Sequence, residues 1–152
     1  MRDEHVFHAT VQWHPAAATF GTRHSRAYTV EIPGRPPLQG SADAAFGGDA
    51  TLHNPEDLLL AALAGCHMLS FLWAAEQAGV AVQDYRDAAT ARLADVGKRL
   101  RFVEAVLRPE VTLAPGADPA QVAKLHERAH RVCFIANAVN FAVRIEGSVK
   151  AA

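Results

Sequence analysis

A long apolar segment in the middle of the chain constrains the fold more than any other feature. It covers residues 58–75 and contains one imidazole, His67. Asn54 can cap a helix that starts here, Pro55 suits its first position, and Gly79 can end it after residue 78. Because apolar side chains occupy most of the circumference of such a helix, it needs cover on nearly every side. The segment therefore predicts a buried central helix that one small domain cannot cover alone.

Alternating apolar and polar residues predict strands on both sides of this helix. The predicted strands cover residues 5–13, 27–32 and 38–42 before it, and residues 80–93, 101–113 and 140–149 after it. The segments 80–93 and 101–113 are predicted to form one hairpin, with its turn at residues 95–98. A second helix is predicted from Asp118 and Pro119 to Cys133. Since no repeat or long linker interrupts the 152 residues, we expect a single α+β domain over residues 1–152.

The composition excludes several classes of function. The formal net charge is −1 and the basic residues are scattered, so the sequence has no surface charge pattern typical of nucleic-acid or anionic-membrane binding. The N-terminal residues lack an apolar secretory core, which favours a cytoplasmic protein. No glycine-rich phosphate-binding motif and no serine nucleophile elbow is present. We expect a small ligand that is not a polyanion.

The chain has two cysteines, Cys66 and Cys133. In a reducing compartment two thiols are core side chains, metal ligands or a redox pair more often than a structural disulfide. Cys66 is about three turns into its helix, beyond the reach of the helix dipole, so a reactive thiolate there needs a nearby cation. Arg23, Arg26 and the adjacent His67 are the candidates. The residues alone leave a buried, inert Cys66 as the more common alternative.

His126, His130 and Cys133 recur along one face of the second predicted helix, and their side chains are of the types that zinc prefers. Three ligands on one continuous helix seldom complete a tetrahedron, however, and the compact two-cysteine spacing of structural zinc sites is missing. Polar histidines on a partly solvated face are therefore favoured, and no metal is predicted.

Two segments resemble the OsmC/Ohr family of peroxide-detoxifying proteins. The first begins with Asn54, Pro55 and Glu56 and reaches Cys66 ten residues after the glutamate; the second is a helix that ends at Cys133. The resemblance extends over nearly the whole chain. It implies an OsmC-like α+β fold, with two β-sheets and two buried central helices, that forms an intertwined homodimer. The Ser25-Arg26 pair before a predicted strand resembles OsmC-like members, whereas His67, directly after Cys66, departs from the Ohr-type pattern and leaves the subgroup open.

The same resemblance implies a thiol peroxidase that reduces organic hydroperoxides. Cys66 would attack the peroxide and Cys133 would resolve the resulting sulfenic acid as a disulfide, which an external thiol reduces. An arginine, Arg26 in preference to Arg23, would pair with Glu56 and keep the Cys66 thiolate ionised. No organic cofactor and no metal is implied.

One geometric problem follows, because ten residues of straight helix separate Glu56 from Cys66 by about 15 Å. An arginine could bridge the gap, the helix could be interrupted, or the carboxylate beside each Cys66 could come from a second chain. The apolar helix favours the last option, with an active site at a dimer interface. The alternative function is a non-catalytic dimeric module that binds a small apolar ligand on the same scaffold.

Overall fold

The computed structural model describes residues 4–14 and 24–151, and the chain divides into two compact units between Leu58 and Leu59. The N-terminal unit holds an antiparallel sheet of three strands, β1 (Thr10–Gln12), β2 (Tyr28–Glu31) and β3 (Leu38–Gly40), in the order β1-β2-β3. Gly40 is required in this register, because a β-carbon there would collide with the ring of its partner Tyr28. The prediction of a strand over residues 5–9 was wrong. Thr10 already pairs with Glu31, and the chain of β2 turns away just beyond it.

Helix α1 (Pro55–Gln77) crosses the division between the units, and the remaining elements belong to the C-terminal unit. These are β4 (Val82–Asp87), β5 (Thr90–Val96), β6 (Arg99–Leu107), β7 (Pro109–Leu113), α2 (Val122–Val132), β8 (Ala142–Ile145) and β9 (Ser148–Ala151). The strands form two three-stranded sheets, β4-β7-β9 and β5-β6-β8. The α+β class and the two sheets with two helices are thus confirmed. The expectation of one domain over residues 1–152 stays a prediction.

The predicted hairpin is present only in part. β5 and β6 form it around Gly97 and Lys98, which both have positive φ as a tight two-residue turn requires. Residues 80–93 are not one strand, however, because the chain passes from one sheet to the other between β4 and β5. The Asp87 carboxylate accepts a hydrogen bond of 2.7 Å from the Arg108 amide at the matching crossing between β6 and β7. The predicted last strand divides in the same way into β8 and β9, parallel to β6 and β7.

The ends of α1 follow the predicted signals. The Asn54 side chain accepts a hydrogen bond of 2.7 Å from the Asp57 amide, and Gly79 takes a left-handed conformation just beyond the helix. One part of α1, around Phe71, packs with the β4-β7-β9 sheet and α2, and another, around Leu63, packs with the β5-β6-β8 sheet. A length of 23 residues and a mean hydropathy of 1.9 would also suit a membrane span. Packing against both sheets is instead typical of a core helix.

The described residues leave one face of α1 uncovered. Leu69 is 64% exposed and Trp73 is 43% exposed, so residues 4–14 and 24–151 do not provide the predicted cover on nearly all sides. The second helix also differs slightly from its prediction. Asp118 caps a short 3-10 turn, α2 starts only at Val122, and Cys133 is the extended residue that ends the helix rather than its last helical residue.

Candidate active site

The two cysteines, distant in sequence, meet where α1 passes the end of α2. Both are free thiols, and Cys66 lies close enough to Cys133 to affect the pKa of its thiol. Cys66 is half-buried on α1, whereas Cys133 is fully buried. The sequence alone does not place them together, since nothing in the residue pattern fixes the crossing of the two helices. Only the family resemblance indicated this pairing.

Cys133 is held as a neutral thiol. Burial and, to a smaller extent, the neighbouring Cys66 raise its pKa, while the amide of Ala136 lowers it by donating a hydrogen bond of 3.4 Å to the sulfur; together these effects place the pKa at about 11. Burial acts in this direction because a low-dielectric surrounding disfavours the thiolate. Near neutral pH Cys133 therefore carries its proton.

An apolar cavity of about 700 Å³ opens beside Cys66. Its walls come from α1 and from the chain at the end of α2: Ala62, Gly65, Cys66, Leu69, Ser70, Trp73, Val132, Phe134 and Ile135. Besides Cys66, the polar side-chain atoms of this lining are the Ser70 hydroxyl and the indole N–H of Trp73. A molecule that reaches the Cys66 sulfur through this cavity is therefore selected for apolar character.

His67 is turned away from solvent. It is fully buried, and its Nε2 lies 3.1 Å from Nδ1 of His126 on α2. Burial, together with the neighbouring His126 and His130, lowers the pKa of His67 to about 4. The ring is thus neutral near pH 7, so His67 does not serve as the alternative cation considered from the sequence.

The histidines of α2 also differ from their expected environment. His126 is 6% exposed and faces the interior of the chain, so the expectation of a partly solvated face was wrong for this residue. Within residues 4–14 and 24–151, no group of three or more His, Cys, Asp or Glu side chains has an arrangement suited to a metal ion.

Glu56 is half-buried in the first turn of α1. Its Oε2 is buried and has no hydrogen-bond partner among the described residues. Because α1 is one uninterrupted helix, the option that a break brings Glu56 to Cys66 is removed. Arg26 is exposed just before β2 and forms no ion pair with Glu56 in this chain, and Arg23 lies outside the described residues. The pairing of Arg26 with Glu56 stays a prediction.

The fold and the facing thiols define an α+β protein with a cysteine pair beside an apolar cavity. A family model described as OsmC-like protein matches residues 47–148. The chain therefore belongs to the OsmC-like family, as the resemblance indicated.

Solved structures agree with this assignment. An OsmC-like protein of unknown function from Vibrio cholerae O1 biovar eltor is 32% identical, with a TM-score of 0.90 over 95% of this chain and 100% of that one. An organic hydroperoxide resistance protein OsmC from Legionella pneumophila is 21% identical, with a TM-score of 0.72 over 98% of this chain and 99% of that one.

A third similar structure is described as a putative organic hydroperoxide resistance protein from Vibrio cholerae with captopril bound in one of its active sites. It is 23% identical, with a TM-score of 0.70 over 98% of this chain and 95% of that one. At these identities the second and third structures show a shared fold. Among curated proteins, none matches the chain.

Proposed function

We propose that the chain is a cysteine-based peroxidase that reduces organic hydroperoxides to alcohols. The observation that carries the proposal is the cysteine pair: one half-buried thiol beside an apolar cavity, and one buried neutral thiol against it. A single reactive cysteine would not need the second thiol. A structural pair would not need the cavity.

The first step would take place at Cys66. Its thiolate attacks the terminal oxygen of the hydroperoxide, an S–O bond forms, the O–O bond breaks, and the departing alkoxide takes up a proton to become the alcohol. The sulfur is oxidised by two electrons as the peroxide is reduced. The apolar lining favours alkyl or lipid hydroperoxides over hydrogen peroxide, because burying an apolar chain contributes binding energy that hydrogen peroxide lacks.

Cys133 would then resolve the sulfenic acid. An S–S bond forms as the S–O bond breaks, and the leaving hydroxide takes the Cys133 proton to become water. A neutral thiol suits this role, since it stays out of the first step. An external thiol or dithiol then reduces the disulfide. No organic or metal cofactor enters these steps, and we place the protein in the cytoplasm, where such reductants are abundant.

We also propose that a second copy of the chain completes the site. The exposed apolar residues Leu69, Trp73 and Phe134 surround the cavity, and Phe134 is 84% exposed. An obligate homodimer would cover this surface and could bring an arginine, Arg26 or Arg23, to a Glu56 carboxylate beside Cys66. Replacing Leu69 with Asp should then give a monomer in sedimentation equilibrium, whereas Lys124→Asp, at an exposed residue outside the cavity lining, should stay dimeric. A wild-type monomer would contradict this part.

The activity itself is tested by consumption of cumene hydroperoxide with dithiothreitol as reductant, compared with hydrogen peroxide. A non-catalytic module with an apolar cavity would bind the peroxide or its alcohol without consuming it. Turnover that depends on both cysteines and is faster with cumene hydroperoxide supports the peroxidase. Absence of thiol-dependent turnover contradicts it.

A further inference from the structure

A buried pair of histidines joins the same two helices as the cysteine pair. His67 on α1 is 0% exposed and His126 on α2 is 6% exposed. The planes of their rings are nearly parallel, at 10°, with Nε2 of His67 3.1 Å from Nδ1 of His126. The outer nitrogens, Nδ1 of His67 and Nε2 of His126, meet no hydrogen-bond partner among the described residues. Among the described residues, the side-chain hydrogen bond of each ring is therefore the one that it forms with the other ring.

Stability alone does not account for this pair. Burying a polar ring without satisfying both nitrogens destabilises the fold, whereas two apolar side chains of similar volume would fill the same space without that penalty. A buried polar pair can instead fix how α1 is positioned against α2, since its hydrogen bond forms in only one relative position of the two helices. The pair thus fits a positioning role.

The position of the histidine pair along α1 and α2 indicates that it would hold the two cysteines. His67 follows Cys66 directly on α1, and His126 precedes Cys133 by seven residues, about two turns of helix. A disulfide requires the two α-carbons to lie within roughly 4.4–6.8 Å of one another. A slide or rotation of α1 against α2 that breaks the histidine bond would therefore also move Cys66 away from Cys133.

The ring of His126 is itself firmly placed. Phe71 of α1 packs against it at a centroid distance of 4.3 Å, and Tyr85 of β4 lies at 6.4 Å. On the Nε2 side, His126 and Gly147 line a cavity of about 500 Å³. An imidazole packed against two aromatic rings can transmit its position to a bonded partner. A freely rotating one could not.

We propose that His67 and His126 are positioning residues whose mutual hydrogen bond holds Cys66 opposite Cys133 for disulfide formation. This role rests on the two-cysteine chemistry of the proposed function and deepens it. It assigns the histidine pair to the resolving step, because attack of peroxide on Cys66 needs the cavity but not the contact with Cys133. Loss of the hydrogen bond should then slow or weaken disulfide formation while leaving the first oxidation unchanged.

The test uses amide side chains that either keep or lose the bonding atom. In glutamine the terminal nitrogen can replace Nε2 of histidine, and in asparagine it can replace Nδ1. His67 bonds through Nε2 and His126 through Nδ1, so His67→Gln and His126→Asn should keep the contact, whereas His67→Asn and His126→Gln should lose it. All four variants bury one amide, so the free-energy cost of burying a polar side chain is similar in each. His130→Gln, one turn from His126 and outside the pair, is the control.

The measurement is the equilibrium between the Cys66–Cys133 disulfide and a dithiothreitol redox buffer, with the rate of Cys66 alkylation by iodoacetamide as the reference. His67→Asn and His126→Gln should each weaken disulfide formation about tenfold, as expected for the loss of one buried hydrogen bond. The two contact-keeping variants and the His130→Gln control should stay within about threefold of the wild type, and alkylation should stay within about twofold in all.

Equal disulfide equilibria for the asparagine and glutamine variants at both positions would overturn the positioning role, as would an equally large effect of His130→Gln. Absence of the disulfide from the wild type would overturn both proposals. A wild type that forms the disulfide in the buffer and consumes no peroxide would overturn the proposed peroxidase alone, and the reciprocal Asn/Gln pattern would still decide the role of the histidines.

Discussion

The cysteine pair and the histidine pair are built from the same two helices, yet they have opposite surroundings. Cys66 borders an apolar cavity of about 700 Å³, whereas the His67 ring is fully buried and His126 packs against Phe71 and Tyr85. Cys66 and His67 are neighbours on α1, yet the sulfur borders the cavity and the imidazole is fully buried. The open side of the contact between α1 and α2 thus holds the sulfur that we propose reacts, and the buried side holds the hydrogen bond that we propose fixes its position.

Burial also acts on the two pairs in a common way. It raises the pKa of Cys133 to about 11 and lowers the pKa of His67 and of His126 to about 4. In each case the charged form is disfavoured in the low-dielectric interior, so all three groups are neutral near pH 7. Cys66, which is half-buried, is the member of the two pairs that the cavity leaves open to a reactant.

The largest expected effect comes from removing the reactive sulfur. Cys66→Ser should lower consumption of cumene hydroperoxide by at least about a thousandfold, because a serine hydroxyl is not ionised near neutrality. Cys133→Ser should instead keep the first oxidation and leave a sulfenic acid at Cys66 that dimedone traps. Substantial turnover by Cys66→Ser would move the first nucleophile to Cys133.

A large effect on stability is expected from the histidine pair as the pH falls. The unfolded chain binds a proton at each histidine near pH 6.5, whereas the folded chain does so only near pH 4. Between these values the unfolded state binds more protons, so the stability present above pH 6.5 is progressively lost toward pH 4. We expect a decrease on the order of a few kcal/mol in the free energy of unfolding.

Urea unfolding at several pH values measures this decrease. The slope between pH 6.5 and 4 should be smaller in His67→Gln, which has one buried imidazole fewer, and unchanged in a variant at the exposed His53. An identical slope in the wild type and in His67→Gln would show that the pair is not the source.

A moderate effect is expected from the arginine that assists Cys66. Arg26→Ala should slow alkylation of Cys66 near neutrality by about tenfold, because the thiolate loses a neighbouring cation. Arg26→Lys should recover only part of the rate, since an ammonium lacks the planar fork that pairs with a carboxylate. The same measurement on Arg23→Ala decides between the two arginines, and unchanged alkylation in both variants would contradict an arginine-assisted thiolate.

The smallest effect is expected at the exposed contact between the helices. The Arg128 guanidinium lies 4.6 Å from the centre of the Trp73 ring. At such a partly exposed site a cation–π contact contributes about 0.5–1 kcal/mol, so Arg128→Gln should lower the free energy of unfolding by no more than that. It should leave the disulfide equilibrium unchanged. If Arg128→Gln weakened disulfide formation as much as His67→Asn does, the buried histidine pair would have no special role in placing the sulfurs.

Local signals in the sequence predicted α1 well, because its cap at Asn54, its acidic first turn and its stop at Gly79 are all properties of neighbouring residues. The division of residues 80–93 between two sheets could not be predicted in this way. An alternating pattern is compatible with either sheet, and the crossing is set by a long-range contact between Asp87 and Arg108.

The candidate site was predictable only through the family resemblance, which named Cys66 and Cys133 together. The histidine pair was missed. His67 was weighed as a cation and His126 as a partly solvated residue or metal ligand, since the sequence does not show that the two rings meet. A single imidazole within an apolar helix was the one available signal, because a buried polar ring needs a partner.

The most direct test of the account is the fate of the two thiols after one equivalent of cumene hydroperoxide is added to the fully reduced protein. Peptide mapping by mass spectrometry should find a Cys66–Cys133 disulfide within one chain, and two thiols lost for each peroxide consumed. A Cys66 sulfenic or sulfinic acid that persists beside an unmodified Cys133 thiol would contradict the two-cysteine mechanism.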